Sequence, residues 1–296
     1  MTNKTHSGFY FTELLKDHSQ LEKQDPAIGL VSMDDLISNV IGIHPYAVSE
    51  TAKLSEQQQQ VVLERAGEFE TPAEWYVTVL TNILVKAAKI AGDKPLRVRL
   101  SGADSHCRQA LVGSELEATE VNPLIGLRGV SRFADKTHRK SFDLECEVIK
   151  RARNSEGMAN IELVIPFVRT YSEAATAIDL LAERGLCRGA QGLKVHLMCE
   201  LPANALLTEK FLPYFDGLVI DIDQLGQFAL GLDQNHESLN YLHDDQNEAV
   251  LQLVRHAVNT AESAGKVCEV VSHYIHKAPK LQKWLLDHDV RSVISQ

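Results

Sequence analysis

From about residue 70 the chain alternates between two hydrophobic rhythms. Short, almost unbroken apolar runs recur at "LRVRLS" (96–101), "IELVIPFV" (161–168), "LKVHLMC" (193–199), "GLVIDI" (217–222), "KVCEVV" (266–271) and "VRSVIS" (290–295). Between them the apolar positions fall on helical stripes. "SEAATAIDLLAERG" (172–185) closes on Gly185, and in 246–264 the residues Val250, Leu253, Val254, Ala257 and Val258 share one face. "ANALLTEKFLPY" (203–214), "KLQKWLLDH" (280–288) and "THRKSFDLECEVIKRARN" (137–154) read as further helices. At 71–74, "TPAE" predicts a helix start, with Thr71 as N-cap, Pro72 in the first turn and Glu74 completing a capping box. Strands that are apolar without alternation are covered on both faces, which means a parallel sheet flanked by helices. A doubly wound sheet and a (β/α)8 barrel both satisfy that pattern.

The first 70 residues are less regular, and "EQQQQ" (56–60) reads only as an exposed helix or loop. No repeat and no Gly/Ser/Pro-rich linker interrupts the chain, so one domain is the simplest division.

Composition narrows the function classes. The 296 residues are 44% hydrophobic and 24% charged, enough for a substantial core. No stretch approaches the ~18 apolar residues of a membrane helix, and "MTNKTHSGFYFTELLKDHSQ" lacks a signal-peptide layout. A formal net charge of −10 with scattered Lys and Arg argues against nucleic acid as a partner, and nothing points to a membrane. A small anion remains open, because a local arginine cluster overrides the overall field. The five cysteines, Cys107, Cys146, Cys187, Cys199 and Cys268, form no CxxC pair and read as reduced thiols of a cytoplasmic protein.

In a parallel α/β fold the chemistry sits at the C-terminal ends of the strands. Arg99, Ser101 and Asp104 lie there after the first run, Arg169 after the second and Glu200 after the third. Asp221 and Asp223 follow the fourth, and Ser272, His273 and Tyr274 the fifth. In "NPLIGLRGVSR" (122–132), Arg128 stands between Gly126 and Gly129, where the backbone can approach a ligand closely. Arginine forks match carboxylate and phosphate oxygens. Carboxylates from neighbouring strand ends suit Mg2+. The collection points to a metal-assisted site for a small phosphorylated or carboxylated anion, with strand-end salt bridges as the plainer alternative.

The motifs "NPLIGLRGVSR", "VIPFVRTYSEA", "GLKVHLMCELPANALL", "FDGLVIDIDQLGQFALGLD" and "AESAGK", with "IGIHPYA", "TPAEWYV" and "LRVRLSG" upstream, resemble one family. It is the C-terminal phosphoenolpyruvate/pyruvate-binding domain of phosphoenolpyruvate synthase, related to pyruvate phosphate dikinase and phosphotransferase enzyme I. The likeness spans roughly 27–296, leaving 1–26 as an N-terminal extension. It implies a (β/α)8 TIM barrel, a homodimer, Mg2+, and phosphoryl transfer between a phosphohistidine and the enolate oxygen of pyruvate. By position, Arg99 and Arg128 match substrate-binding arginines and Glu200 a metal glutamate. Other positions depart from the pattern. The metal aspartate becomes Gln224, leaving Asp223 beside it as the second candidate metal ligand. The acid/base cysteine aligns with Val271, so His273 or Tyr274 would have to take its place, and His273 is the candidate catalytic residue. The family's upstream arginine and glutamate become Ser32 and Asp34. Neither an ATP-grasp nor a phosphohistidine domain fits in the residues before the likeness. The implied readings are a barrel that binds phosphoenolpyruvate, pyruvate or a related 2-oxo acid with altered or lost phosphotransfer, a degenerate binding or regulatory module, and the barrel subunit of a split enzyme.

Overall fold

The computed structural model describes residues 9–295 except 25, 235, 243, 245 and 246. Eight parallel strands close into a barrel in sequence order: β1 (Tyr10–Leu15), β2 (Ile28–Ser32), β3 (Leu96–Arg99), β4 (Ile161–Ile165), β5 (Val195–Cys199), β6 (Gly217–Asp221), β7 (Val267–Ser272) and β8 (Ser292–Ser295). This is the (β/α)8 arrangement, and the doubly wound alternative falls away. Every residue of β2, β4, β5 and β6 is buried, which is why these strands carry no polar alternation.

The chain folds as two compact units. One comprises Val164–Ala175, the chain from Lys194 on and the N-terminal segment as far as Leu14; the other comprises Leu15–Leu163 and Thr176–Leu193. In the first, β5 to β8 run in parallel register, with Cys199 opposite Ile220 and Asp221 opposite Val271. The helix Glu248–Ser263 lies against β6 and β7 and buries Val250, Val254, Ala257 and Val258 from the expected stripe. In the second, the helix Pro72–Ala91 packs on the helix Arg139–Lys150. The first buries Tyr76, Leu80 and Leu84, and the second Phe142, Val148 and Ile149.

Several expectations need adjustment. β1 falls inside the 1–26 segment expected to precede the barrel and pairs with β8, Phe11 opposite Val293. Its exposed and half-buried first four residues hid the strand from an apolar-run reading. The first eight residues of that segment lie outside the described residues. The helix expected over 203–214 is two pieces, Pro202–Leu206 and Thr208–Phe211, parted at Leu207 by a non-helical backbone (φ −117°, ψ 30°). "EQQQQ" opens a helix, Glu56–Ala66, capped by Ser55. Thr71 caps the next helix as expected, accepting from Glu74 N at 3.1 Å. The Glu74 carboxylate, however, receives Arg151 Nη2 at 2.8 Å and Thr78 Oγ1 at 3.1 Å.

Candidate functional site at the strand ends

In the first unit, β5 ends at Cys199 and delivers Glu200, which is only 4% exposed. Its Oε1 accepts the backbone N–H of Phe167 at 2.6 Å. Phe167 stands just beyond β4 with φ of +51°, a left-handed conformation that a residue with a Cβ adopts only under constraint. Its ring lies 4.6 Å beneath the Arg169 guanidinium and 5.5 Å from the Phe228 ring. One step further, Asn204 donates to Val168 O at 2.6 Å while its Oδ1 accepts Leu201 N at 3.1 Å. Two polar ties therefore lock the exit of β4 to the exit of β5, and both use buried groups.

The next pair of strand ends carries a carboxylate–imidazole contact. Asp221 closes β6 and caps the helix Ile222–Leu230 by accepting Gln224 N at 3.0 Å. That cap sets Asp223 in the first helical turn, its side chain 5% exposed. Asp223 Oδ2 accepts the backbone N–H of His273 at 2.6 Å and lies 2.9 Å from His273 Nδ1. A carboxylate on Nδ1 fixes the orientation of the ring, with Nε2 on its other edge. The His273 side chain is 42% exposed. Val271 is fully buried. The Gln224 amide oxygen accepts from Gln227 Nε2 at 3.2 Å. Burial pushes the Cys199 thiol far up, so it is no nucleophile.

The second unit holds the arginines. Arg99, the last residue of β3, donates from Nη2 to Ser32 Oγ at 2.9 Å. Ser32 is fully buried, sits opposite Arg99 in the β2–β3 register, and also caps the short helix Met33–Leu36. Arg128 is 4% exposed; its Nε donates to Gly102 O at 2.9 Å and its Nη1 to Leu124 O at 2.8 Å. Of its flanking glycines, Gly129 has φ of +53°. Gly126 differs from expectation: a Cβ there would stand 2.4 Å from Glu120 Oε1 and 2.8 Å from Asn122 O, so the close approach it permits is to its own loop. The loop after β3 is held from below. Glu145 Oε2 accepts Ser101 N at 2.9 Å, and Asp34 Oδ2 accepts Gly102 N at 2.8 Å and Ala103 N at 3.1 Å. Burial pushes the Glu145 carboxyl up to about 7, against the hydrogen bonds from Ser101.

Residues 18–294 match the family described as "PEP-utilising enzyme, PEP-binding domain". The chain belongs to that family. Phosphoenolpyruvate synthase of Pseudomonas aeruginosa (strain UCBPP-PA14) is 37% identical over 278 residues, 94% of this chain and 35% of that protein. Phosphoenolpyruvate synthase of Escherichia coli (strain K12) is 38% identical over 267 residues, 90% of this chain and 34% of that protein. The chain thus spans about a third of the length of these relatives. Among solved structures, an HpcH/Hpal aldolase/citrate lyase family protein from Burkholderia cenocepacia J2315 is 13% identical with a TM-score of 0.48, covering 99% of this chain and 90% of that one. That likeness is too remote to bear on function.

For this member of the PEP-binding domain family, the strand ends can be set against the chemistry of Mg2+. The ion takes hard oxygen ligands and keeps several waters, so one or two protein carboxylates are enough. Glu200 and Asp223, at the exits of adjacent strands and nearly buried, are a donor set of that kind. Among the described residues no group of three or more His, Cys, Asp and Glu side chains gathers in a form that could hold a metal unaided. Sequence reading singled out Glu200, Asp223, His273, Arg99 and Arg128, and it left Phe167 and the supporting carboxylates Asp34 and Glu145 without a role. Phe167 sits in an apolar run that gives no hint of its backbone conformation.

Proposed function

We propose that this chain binds phosphoenolpyruvate, pyruvate or a related 2-oxo acid, with Arg99 and Arg128 as ligands of the anion and Mg2+ held by Glu200 and Asp223. The observation that carries this reading is Glu200. A carboxylate at the exit of β5, 4% exposed, is a hard oxygen ligand of the kind Mg2+ takes. Family membership and the phosphoenolpyruvate synthases among its relatives give the same direction. Bound Mg2+ would polarise substrate oxygens as a Lewis acid. The guanidinium groups would pair with phosphate or carboxylate oxygens in fork geometry. Asp223 serves two neighbours with different oxygens: Oδ2 engages His273, and Oδ1 is the one proposed for the metal. His273 is proposed to move a proton at the methyl carbon of pyruvate through Nε2, a task that Val271 has no group to perform.

Titration with oxalate, pyruvate and phosphoenolpyruvate, each with and without Mg2+, tests the binding step. The expected result is stabilisation that depends on Mg2+, reaching about 2.7 kcal/mol at a hundredfold excess over Kd. Glu200→Gln retains an oxygen for Phe167 N–H, so it should fold normally and lose the Mg2+ dependence. A melting temperature unmoved by all three anions at millimolar concentration overturns the proposal. A second reading, a binding module without turnover, is favoured by the burial of Val271 at the family's cysteine position. It predicts the same binding and no proton exchange at the pyruvate methyl group.

A further inference from the structure

The loop after β3 is suspended between charges of opposite sign. The peptide joining Gly102 to Ala103 offers its carbonyl oxygen to Arg128 Nε at 2.9 Å and its N–H to Asp34 Oδ2 at 3.1 Å. The guanidinium thus meets the negative end of the peptide dipole and the carboxylate meets the positive end, so each bond polarises the other. Both flanking groups are nearly buried, Arg128 at 4% and Asp34 at 9% exposed, and screening by water is weak there. Asp34 Oδ2 also takes Gly102 N–H at 2.8 Å, which gives the loop two charge-assisted anchors on one oxygen. The neighbouring peptide is held by a different side chain, Arg108, whose Nη1 donates to Ala103 O at 2.8 Å. Two residues before Asp34, Ser32 Oγ receives Arg99 Nη2. The turn that leaves β2 therefore touches one arginine directly and reaches the other through a single peptide.

We infer that Asp34 is a positioning residue of Arg128, and that Ser32 and Asp34 together set the orientation of the two guanidinium groups toward an anion. Arg128 grows from the loop 124–129, and its Nε and Nη1 donate to the backbone carbonyls of Gly102 and Leu124. A carbonyl fixes a guanidinium only as firmly as its own peptide is fixed. Asp34 is the group that fixes it. The inference rests on the proposed function only for the identity of the ligand that Arg128 meets; the Asp34–peptide–Arg128 chain stands independently of it.

The test reads Arg128 itself. The Nε–H resonance of Arg128 is identified in a 15N correlation spectrum by its loss in Arg128→Lys, and its exchange with water is measured. In Asp34→Ala that exchange should accelerate tenfold or more, and the affinity for oxalate with Mg2+ should fall about tenfold. Asp34→Asn keeps an acceptor oxygen for both N–H groups and should hold both values within about threefold of the parent. A folded Asp34→Ala protein with unchanged Arg128 Nε–H exchange overturns the inference. Should that variant fail to fold, the parent chain decides: Ala103 N–H and Arg128 Nε–H must then respond to low denaturant with one common opening, and separate openings overturn the inference. A parent chain that binds no oxalate counts against the proposed function, and the exchange measurements still settle the role of Asp34.

Discussion

At the residue scale, two buried carboxyls stand in different surroundings. Glu200 accepts a hydrogen bond from the backbone N–H of Phe167, whose φ is positive. Glu145 is 1% exposed, and burial lifts it to about 7 from an ordinary 4.5. The consequence for stability has a definite sign. Below about pH 4.5 the group is protonated in both folded and unfolded chains and has no effect on the balance. Between about 4.5 and 7 the unfolded chain sheds a proton that the folded protein keeps, so stability falls as pH rises. Across that window the loss amounts to about 3 kcal/mol. Glu145→Gln keeps an acceptor for Ser101 N–H and removes the titration. Urea unfolding at a series of pH values should therefore show the variant gaining on the parent from pH 4.5 to 7.5, with no further gain above. Parallel curves would mean that Glu145 titrates normally.

At the scale of elements, the segments between β3 and the helix Gly129–Ala134 are organised by one carboxylate. Glu117 Oε2 lies 2.7 Å from His44 Nε2 and 3.0 Å from Arg108 Nε, while Oε1 lies 3.0 Å from Arg108 Nη2 and 3.3 Å from Arg132 Nε. Burial pushes this carboxyl up, and the hydrogen bonds from His138, His44 and Arg108 outweigh it, so it stays ionised. Arg108 and Arg132 are 5% and 3% exposed, so removing Glu117 strands two buried cations. Glu117→Ala should lower unfolding stability by about 3–5 kcal/mol, measured by denaturant titration, whereas a surface carboxylate such as Glu262 should be nearly neutral. None of this hub was legible in the sequence. Its members are spread from residue 44 to 138, mostly in segments without hydrophobic rhythm, and polar contacts of that span leave no periodic trace. Six of the eight strands were legible as apolar runs; β2, although buried throughout, was missed because its five residues Ile28–Ser32 include a glycine and a serine. β1 was missed too, since four of its six residues are half-buried or exposed. Of the five proposed site residues, Arg99, Arg128 and Glu200 stood out as family matches and Asp223 and His273 as strand-end groups where the pattern departs, while the contacts of Phe167 N–H, Ser32 and Asp34 with them or their loops depend on geometry that residue types do not announce.

At the scale of the whole molecule, the chain spans about a third of the length of the phosphoenolpyruvate synthases it matches, and the proposed proton chemistry can be tested on it alone. Proton exchange at the pyruvate methyl group needs an anion site, a metal and a proton-transferring group, and it needs no phosphoryl donor. It therefore isolates the step proposed for these strand ends from everything that the relatives' remaining length supplies. At the exit of β7, His273 is held on a buried carboxylate, Nδ1 lying 2.9 Å from Asp223 Oδ2. In D2O with Mg2+ and pyruvate, proton NMR should show the methyl signal decaying with protein present and no ATP. His273→Gln should slow that decay by roughly a hundredfold or more, the scale of a lost general base, while oxalate affinity stays within a fewfold of the parent. Asp223→Asn should slow exchange and weaken the Mg2+ dependence together, because it touches both neighbours. If binding is intact and the methyl protons do not exchange in the parent chain, the buried Val271 has ended the proton chemistry and the site serves recognition alone; if they exchange equally fast without His273, the proton passes through a different group.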